Sequence, residues 1–451
     1  MLDRLVRMVN FDRSSTSKLY AALIHSSTYL AFTYYNRTFT NTIETILMAL
    51  LLLVIIESKR QRYAVPTKIG SILAIGFFNR PTFVIFAAVP VMFWICSFKK
   101  HERNFWSIIT EWMGNFLAIL SSFLAVSFIF IIGDSIFYHR LDIMDILMEN
   151  PMNMIDINKL LITPWNFISY NIWPSNLANH GLHPVYFHSL VSMPLMFTLL
   201  TAAIYWDLIE NVSKVFLFTS YRCRDGLMKI INDFCHNENP FRFRCILHLT
   251  IFISLLALSL IPHHEPRFLL PLIIPIISLY GDRIAKLMKK FPTLLVVWLI
   301  TQIVLTIFYG WIHQAGIIRS LLYLQQNEHH EYIIDKNMQT TRLIFMRMYL
   351  PPRHLLLIPH HSNIQIDDYS IEPIQPSLRS IFNKEKTMMK NESSKIFVIM
   401  PSCYDEMLKS IIIDEQMKLS NQRQKIEMKL LEKNFPILVL KIWINIVCGQ
   451  H

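Results

Sequence analysis

Seven consecutive residues, Pro262-His263-His264-Glu265-Pro266-Arg267-Phe268, set two imidazoles, a carboxylate and a guanidinium between two apolar runs. Ile246 to Ile261 precedes them and Leu269 to Leu279 follows. Bringing such groups unpaired to the edge of a bilayer costs several kcal/mol, so ionisable residues at that depth are functional by default. A connector without a chemical task would more cheaply be Ser, Asn or Gly. The competing reading is a charged loop that only ends two helices, with Glu265 and Arg267 neutralising each other. Pro262 and Pro266 end the helices and stiffen the loop.

His180, His183 and His188 are a second candidate group. Their spacing is compatible with zinc on a helix. Gly181 and Pro184 spoil a regular helix, however, and no Cys or Asp joins them, so no metal is assigned. The six cysteines include no CxxC pair and no framework spacing.

These residues must be positioned by apolar elements. Of the 451 residues 53% are hydrophobic and 17% charged, and the mean hydropathy is +0.35. The apolar residues come in blocks near the length of a bilayer span. They run Leu19–Tyr35, Phe39–Ile56, Ile69–Phe78, Thr82–Phe98, Phe105–Gly133, Val185–Trp206, Cys245–Ile261, Phe268–Gly281 and Thr293–Trp311. Several fall short of the ~20 residues of an ideal span, which predicts tilted, broken or re-entrant helices around a protein-lined cavity. The expected fold is an all-α polytopic membrane protein. Its expected parts are an N-terminal segment, 1–18, a transmembrane core, 19–312, with loops at 134–184 and 262–268, and a polar C-terminal region, 313–451.

The net charge of +11 has a topological source. Seventeen basic residues, from Lys59 to Lys290, gather in alternate loops, against five (Arg37, Arg80, Arg140, Lys159 and Arg267) in the others. The positive-inside rule makes the first set cytosolic. The second set, the unusual motifs and everything after Trp311 then face the lumen or exterior. No aromatic-interleaved basic motif or zinc-finger spacing occurs, so nucleic acid is set aside. The short basic start, Met1 to Lys18, suits a cytosolic N-terminus whose first helix inserts as its own signal. Of the sequons at Asn36, Asn211 and Asn391, topology favours Asn391 for a glycan. Lys418–Lys433 has the spacing of a solvated amphipathic helix. Ile437–Val447, short for a span, is expected in the interface or against the luminal region.

Four constellations on the luminal side carry a resemblance. They are Tyr35-Asn36-Arg37 running on to Glu44, Asn79-Arg80-Pro81-Thr82, Gly133-Asp134-Ser135 followed by Thr163-Pro164-Trp165, and the His-Glu-Pro-Arg-Phe sequence. Together they resemble the multi-spanning glycosyltransferases that use dolichyl phosphate mannose in the endoplasmic reticulum, in N-glycan and glycosylphosphatidylinositol (GPI) assembly. Asn176 to Pro184 with His188 and Met193-Pro194, and Phe308 to Gly316, resemble the PIG-Z type, which adds the fourth, side-branch mannose of the GPI core. The resemblance covers Leu19 to Arg353.

It implies a GT-C type helix bundle, a multi-pass endoplasmic reticulum membrane location, a luminal active site and α-1,2-mannosyl transfer with inversion. It implies no cofactor, a lipid-linked donor and a GPI glycolipid acceptor. Inversion in one displacement needs a base for the acceptor hydroxyl and stabilisation of the departing phosphate. In this family the base belongs to a His-Pro-Asp-Glu type motif after the first span. No such motif occurs here, so the base is expected upstream of Met1, in a chain truncated relative to an active enzyme or in a relic without activity.

Donor phosphate or sugar contacts are assigned to Arg267, His263, His264, Glu265, Arg80 and Asp134. Arg267 is the leading phosphate partner, because a guanidinium binds phosphate oxygens bidentately and stays charged. Glu265 is expected to orient Arg267 or a histidine, and Glu44 to bond neighbouring helices. Arg80 could instead anchor a helix end, and Asp134 could instead cap the segment after it. Asn36, Arg37, His180, His183 and His313 are the acceptor-side candidates. Other readings are a different member of the same family, a non-catalytic subunit, or a transporter. No internal repeat supports the last.

Overall fold

The computed structural model describes residues 5, 15–37, 39–58, 64–96, 105–138, 140, 159–178, 181–219, 240–313, 315–328, 341–348, 353–357, 364–369, 374–380, 395–420, 424–434 and 437–446. The chain divides into two units, Met1–Thr306 and Ile307–His451.

The first unit is helical. It contains α1 (Ser15–Ser26), α2 (Tyr29–Thr33), α3 (Thr40–Glu57), α4 (Val65–Asn79), α5 (Phe83–Ile95), α6 (Phe105–Phe137) and α7 (Thr163–Ile172). There follow α8 (Pro174–Ala178), α9 (Met193–Phe197), α10 (Leu199–Thr219), α11 (Pro240–Ser259), α12 (Ile273–Lys290) and α13 (Pro292–Ile307). Thr40–Glu57, Ile109–Phe137, Pro266–Lys290 and a segment starting at Pro292 are long and apolar enough to cross a membrane. Phe83–Ile95, His188–Phe197 and Phe243–Ser259 are apolar but shorter. This is a membrane protein with short and broken helices among its spans.

Proline and local backbone strain account for several breaks. Pro271 lacks the N–H that an α-helix would need there, and Pro266–Leu272 winds as a 3-10 turn before α12 begins. Thr198, at φ +49°, separates α9 from α10. The 3-10 turn and α12 form the most enclosed part of the unit. Leu269, Leu270, Leu272, Ile273, Ile276 and Ile277 are all fully buried.

Lipid tails are as apolar as leucine, so helices in a bilayer associate by close packing rather than by escape from solvent. Small residues permit that approach. A Cβ on Gly281 would lie 3.1 Å from Ala21 Cα of α1. One on Gly70 of α4 would fall on Ser122 Oγ and the Ile119 carbonyl oxygen of α6.

Gln302 of α13 closes two of the breaks. Its Oε1 accepts the Tyr29 N–H at 2.8 Å, an orphan donor at the start of α2, and its Nε2 donates to Thr198 Oγ1 at 3.2 Å. Gln302→Leu removes both bonds, and the loss at the buried Tyr29 N–H alone costs about 1–3 kcal/mol. The variant should melt at clearly lower temperature than wild type in detergent. An unchanged Tm would mean that other groups satisfy Tyr29 and Thr198.

The second unit departs from the expected all-helical picture, which holds for the bundle. It carries α14 (Ala315–Tyr323), α15 (Asp405–Ser420) and five strands: β1 (Thr341–Met346), β2 (Ile364–Tyr369), β3 (Lys395–Pro401), β4 (Gln424–Asn434) and β5 (Ile437–Ile446). The sheet order is β2-β1-β3-β5-β4. The β1 strand is parallel to β2 and β3, while β5 is antiparallel to β3 and β4. Four consecutive buried residues, Leu343 to Met346, mark β1 as a strand covered on both faces. Ile317 and Leu321 of α14 join Leu343, Phe345, Phe397 and Ile399 in one core. Arg342 of β1 donates through Nε to Asp367 of β2 at 2.9 Å.

One expectation is corrected here. The charge run Lys418–Lys433 is not one amphipathic helix: α15 ends at Ser420 and Gln424–Asn434 is a strand. Ile426, Met428 and Leu430 alternate with Lys425, Glu427 and Lys429, a period of two that the spacing of the charges obscured. Of the two places expected for Ile437–Val447, the interface or the C-terminal region, the strand Ile437–Ile446 takes the second, paired between β4 and β3. Asn391 and the run from Lys384 up to Lys395 fall largely outside the described residues.

Candidate functional site

The polar motifs meet where α3, α4, α5, α11 and the 3-10 turn share one end of the bundle. After Ser259 the chain leaves α11, and Glu265 is extended (φ −124°, ψ 138°). The Phe268 N–H then bonds the Glu265 carbonyl oxygen at 3.0 Å. This sharp turn puts alternate side chains of the motif in different places.

Glu265 lies between Arg267 and His263. Its Oε2 accepts the Arg267 Nε–H, and His263 Nε2 is 3.3 Å from its Oε1. Burial alone would raise its pKa, but the His263 hydrogen bond and the Arg267 charge overcome this and hold it at about 2. With both oxygens committed, Glu265 orients its neighbours and is not a free base.

The guanidiniums stand on aromatic rings. Arg267 Cζ is 5.3 Å from the centre of the Phe39 ring and Arg37 Cζ 5.8 Å from the same centre. Arg80 Cζ is 4.1 Å from the centre of the Phe268 ring. Arg80 precedes Pro81, which holds it extended just past the end of α4 (φ −164°, ψ 122°) and turns it into the bundle. Burial weakens its preference for the charged state, and the Glu44 carboxylate offsets part of that cost. Its buried Nε–H has no hydrogen-bond partner among the described residues.

Glu44 of α3 is fully buried. Its Oε1 accepts from Thr82 Oγ1 at 2.8 Å and its Oε2 from Asn41 Nδ2 at 2.9 Å. Asn79 Nδ2 donates to the Thr40 carbonyl oxygen at 3.0 Å. The two entry motifs are thereby locked to each other, with Glu44 as the expected link between helices.

The segment Gly181–Pro184 straps the turn from the other side. The His183 N–H donates to the Pro262 carbonyl oxygen at 2.9 Å, and His263 Nδ1 is 3.1 Å from the Gly181 carbonyl oxygen. Gly181 has φ +93°, a conformation that favours glycine.

His264 points elsewhere than expected. It is 2% exposed and stacks with His183 (ring centres 5.9 Å), Phe187 (6.0 Å) and His188 (4.3 Å). Burial keeps it below the ordinary imidazole pKa. The ring is thus enclosed among His183, Phe187 and His188, whereas the donor-side expectation grouped it with Glu265 and Arg267.

Asp134 is placed at another corner. It accepts from Thr163 Oγ1 at 2.5 Å, while Ser135 Oγ accepts the Leu161 N–H at 2.8 Å. These bonds tie the end of α6 to the start of α7, which commits Asp134 to a local link. Asn36 is exposed and bonds within its own turn, through Nδ2 to the Phe32 carbonyl oxygen at 2.9 Å. His313 belongs to the second unit, where it stacks on Phe308 with ring centres 6.1 Å apart. His180 lies outside the described residues. Among the described residues no three His, Cys, Asp or Glu are set to hold a metal ion.

The aromatic platforms were not read from the sequence, although Arg37-Thr38-Phe39 and Arg267-Phe268 carry a signal for them. An arginine next to a ring at a membrane edge invites stacking. The Gly181 carbonyl had no signal, because a backbone oxygen looks alike at every position.

Residues 3–358 match the Alg9-like mannosyltransferase family. Among curated proteins the chain is 30% identical over 352 residues to human GPI alpha-1,2-mannosyltransferase 4, covering 75% of this chain and 55% of that one. It is 31% identical over 316 residues to GPI mannosyltransferase 4 of Drosophila melanogaster, covering 64% and 42%. For the Debaryomyces hansenii protein of that name the figures are 29% over 355 residues, 73% and 56%. The chain spans about half the length of the curated relatives it matches. No solved structure matches it.

Proposed function

We propose that this chain, which belongs to the Alg9-like mannosyltransferase family, transfers mannose from dolichyl phosphate mannose to a GPI precursor. The product is the fourth, side-branch mannose in α-1,2 linkage, made with inversion at a luminal site of the endoplasmic reticulum membrane. The names of the human and fly relatives support the acceptor, and that of the human relative supports the linkage. The basic-residue asymmetry of the loops supports the luminal placement.

One observation carries the donor side. Arg80, whose buried Nε–H has no partner among the described residues, and Arg267, held by Glu265, stand over Phe268 and Phe39 in one polar cluster. Clustered cations with unused donor capacity suit an anion that arrives with the ligand, and a lipid-borne phosphodiester is such an anion. In the transfer, the acceptor hydroxyl attacks the mannosyl anomeric carbon as its bond to the phosphate oxygen breaks. Arg267 and Arg80 stabilise the charge that grows on that phosphate. Glu44 and Glu265 have both oxygens committed, so neither is assigned as the base for the hydroxyl.

Cells deprived of the protein should accumulate GPI precursors one mannose short, seen by labelling with radioactive mannose. Their microsomes should fail to extend the trimannosyl lipid. Unaltered glycan lengths with a redistributed lipid would instead identify a transporter.

A further inference from the structure

A neutral imidazole has one N–H and a cationic imidazole has two. His263 meets an acceptor at each nitrogen: the Gly181 carbonyl oxygen 3.1 Å from Nδ1, and Glu265 Oε1 3.3 Å from Nε2. A carbonyl cannot donate. The Glu265 carboxylate cannot either, since its other oxygen takes the Arg267 Nε–H, which keeps it ionised. Only the cation gives each acceptor a proton.

We infer that His263 is a positioning residue that works as an imidazolium, clamped between the Gly181 carbonyl and Glu265, and that its charge holds the Glu265–Arg267 pair in register for an anionic ligand. The inference rests on the mannosyl-transfer reading only for the identity of that ligand. It makes the acceptor-side strap a partner of the donor turn, because Gly181 supplies one of the two acceptors that keep His263 charged.

The electrostatic surroundings agree. The Glu265 hydrogen bond raises the His263 pKa, burial opposes it, the Gly181 bond adds to the rise, and Arg267 opposes it. Other titratable groups lie near His263. On the strap, the His183 ring centre is 6.3 Å away. His188 sits beyond His264, and Arg80 sits across the Phe268 ring, whose centre is 5.8 Å from that of His263. Of these imidazoles, His263 is the one bonded to a carboxylate.

Because the folded pKa is raised, the clamp is complete below the ordinary imidazole value and is lost as pH rises through the higher folded value. The probe is a short-chain prenyl phosphoryl mannose, a phosphodiester whose single charge does not change over this range. Its binding to the detergent-purified full chain should weaken about tenfold between roughly pH 6 and 9. His263→Gln should bind weakly at every pH, with that slope gone. Gly181→Ala, strained at φ +93°, should move the midpoint to lower pH with the low-pH affinity kept. A wild-type slope persisting in His263→Gln, or no slope in the wild type, overturns the clamp while the mannosyl-transfer reading stands. Failure of the wild type to bind the probe at any pH rejects that reading instead.

Discussion

Arg267→Ala should lower mannosyl transfer by roughly two to three orders of magnitude, the usual effect of deleting a donor aimed at developing charge, while the protein still inserts and purifies as a single species. The reasoning begins with what Arg267 does in the unliganded site. Its Nε–H bonds Glu265 and its guanidinium covers Phe39, an arrangement that fixes one edge of the fork and leaves the rest for an incoming phosphate. Alanine removes the donor and returns Glu265 to His263 alone. The loss should fall on turnover more than on donor affinity, because the charge that Arg267 meets is greatest after the glycosidic bond has begun to break. Arg267→Lys should recover little, since a lone ammonium cannot hold Glu265 and reach the ligand together. Near-wild-type transfer by the alanine variant would falsify the phosphate role. Insertion and elution on gel filtration provide the control for folding.

Arg80→Ala should act in the complementary sense, raising the donor KM by roughly ten- to a hundredfold, in line with about 1.5–3 kcal/mol for a charge-assisted hydrogen bond. Its buried Nε–H is an unfilled donor before the ligand binds, so its contribution is already present in the ground-state complex. Removing it also deprives the fully buried Glu44 of the positive charge that faces it, and the thermal midpoint should fall. Glu44→Gln in the same chain should restore much of that midpoint without restoring transfer, because a broken buried pair costs more than an absent one. Rescue of both properties together would show that Arg80 serves only to balance Glu44. Arg80→Lys keeps the charge but loses the broad stack on Phe268 and should fall between the two.

The helical bundle and the meeting of motifs were legible because ionisable residues are rare in apolar sequence, and each one present marks a place where the chain was willing to carry a desolvation cost. Glu44, Arg80, Glu265 and Arg267 stand out by type alone, and all four come together. His264 shows the limit of this reasoning. It is adjacent to Glu265 in sequence yet turns into a buried stack, because the extended backbone at Glu265 and the following 3-10 turn send neighbouring side chains apart. Asp134 shows another: a carboxylate at a helix end serves a local tie to Thr163 as readily as a ligand. In the second unit, Lys425, Glu427 and Lys429 alternate as on a strand face, a short signal lost within the longer charge run Lys418–Lys433. Only pairing with Ile437–Ile446, a partner found by folding, selected the strand.

The turn that bears Arg267 is continuous with the helix most enveloped by its neighbours, from Leu269 through Ile277. A segment sheathed in this way cannot slide or tilt without repacking the helices around it. The backbone that carries Arg267 is therefore a stationary landmark, to which a ligand must come. Variants selected for altered glycan preference should accordingly collect outside Pro266–Lys290, however close to the reacting bond that stretch begins.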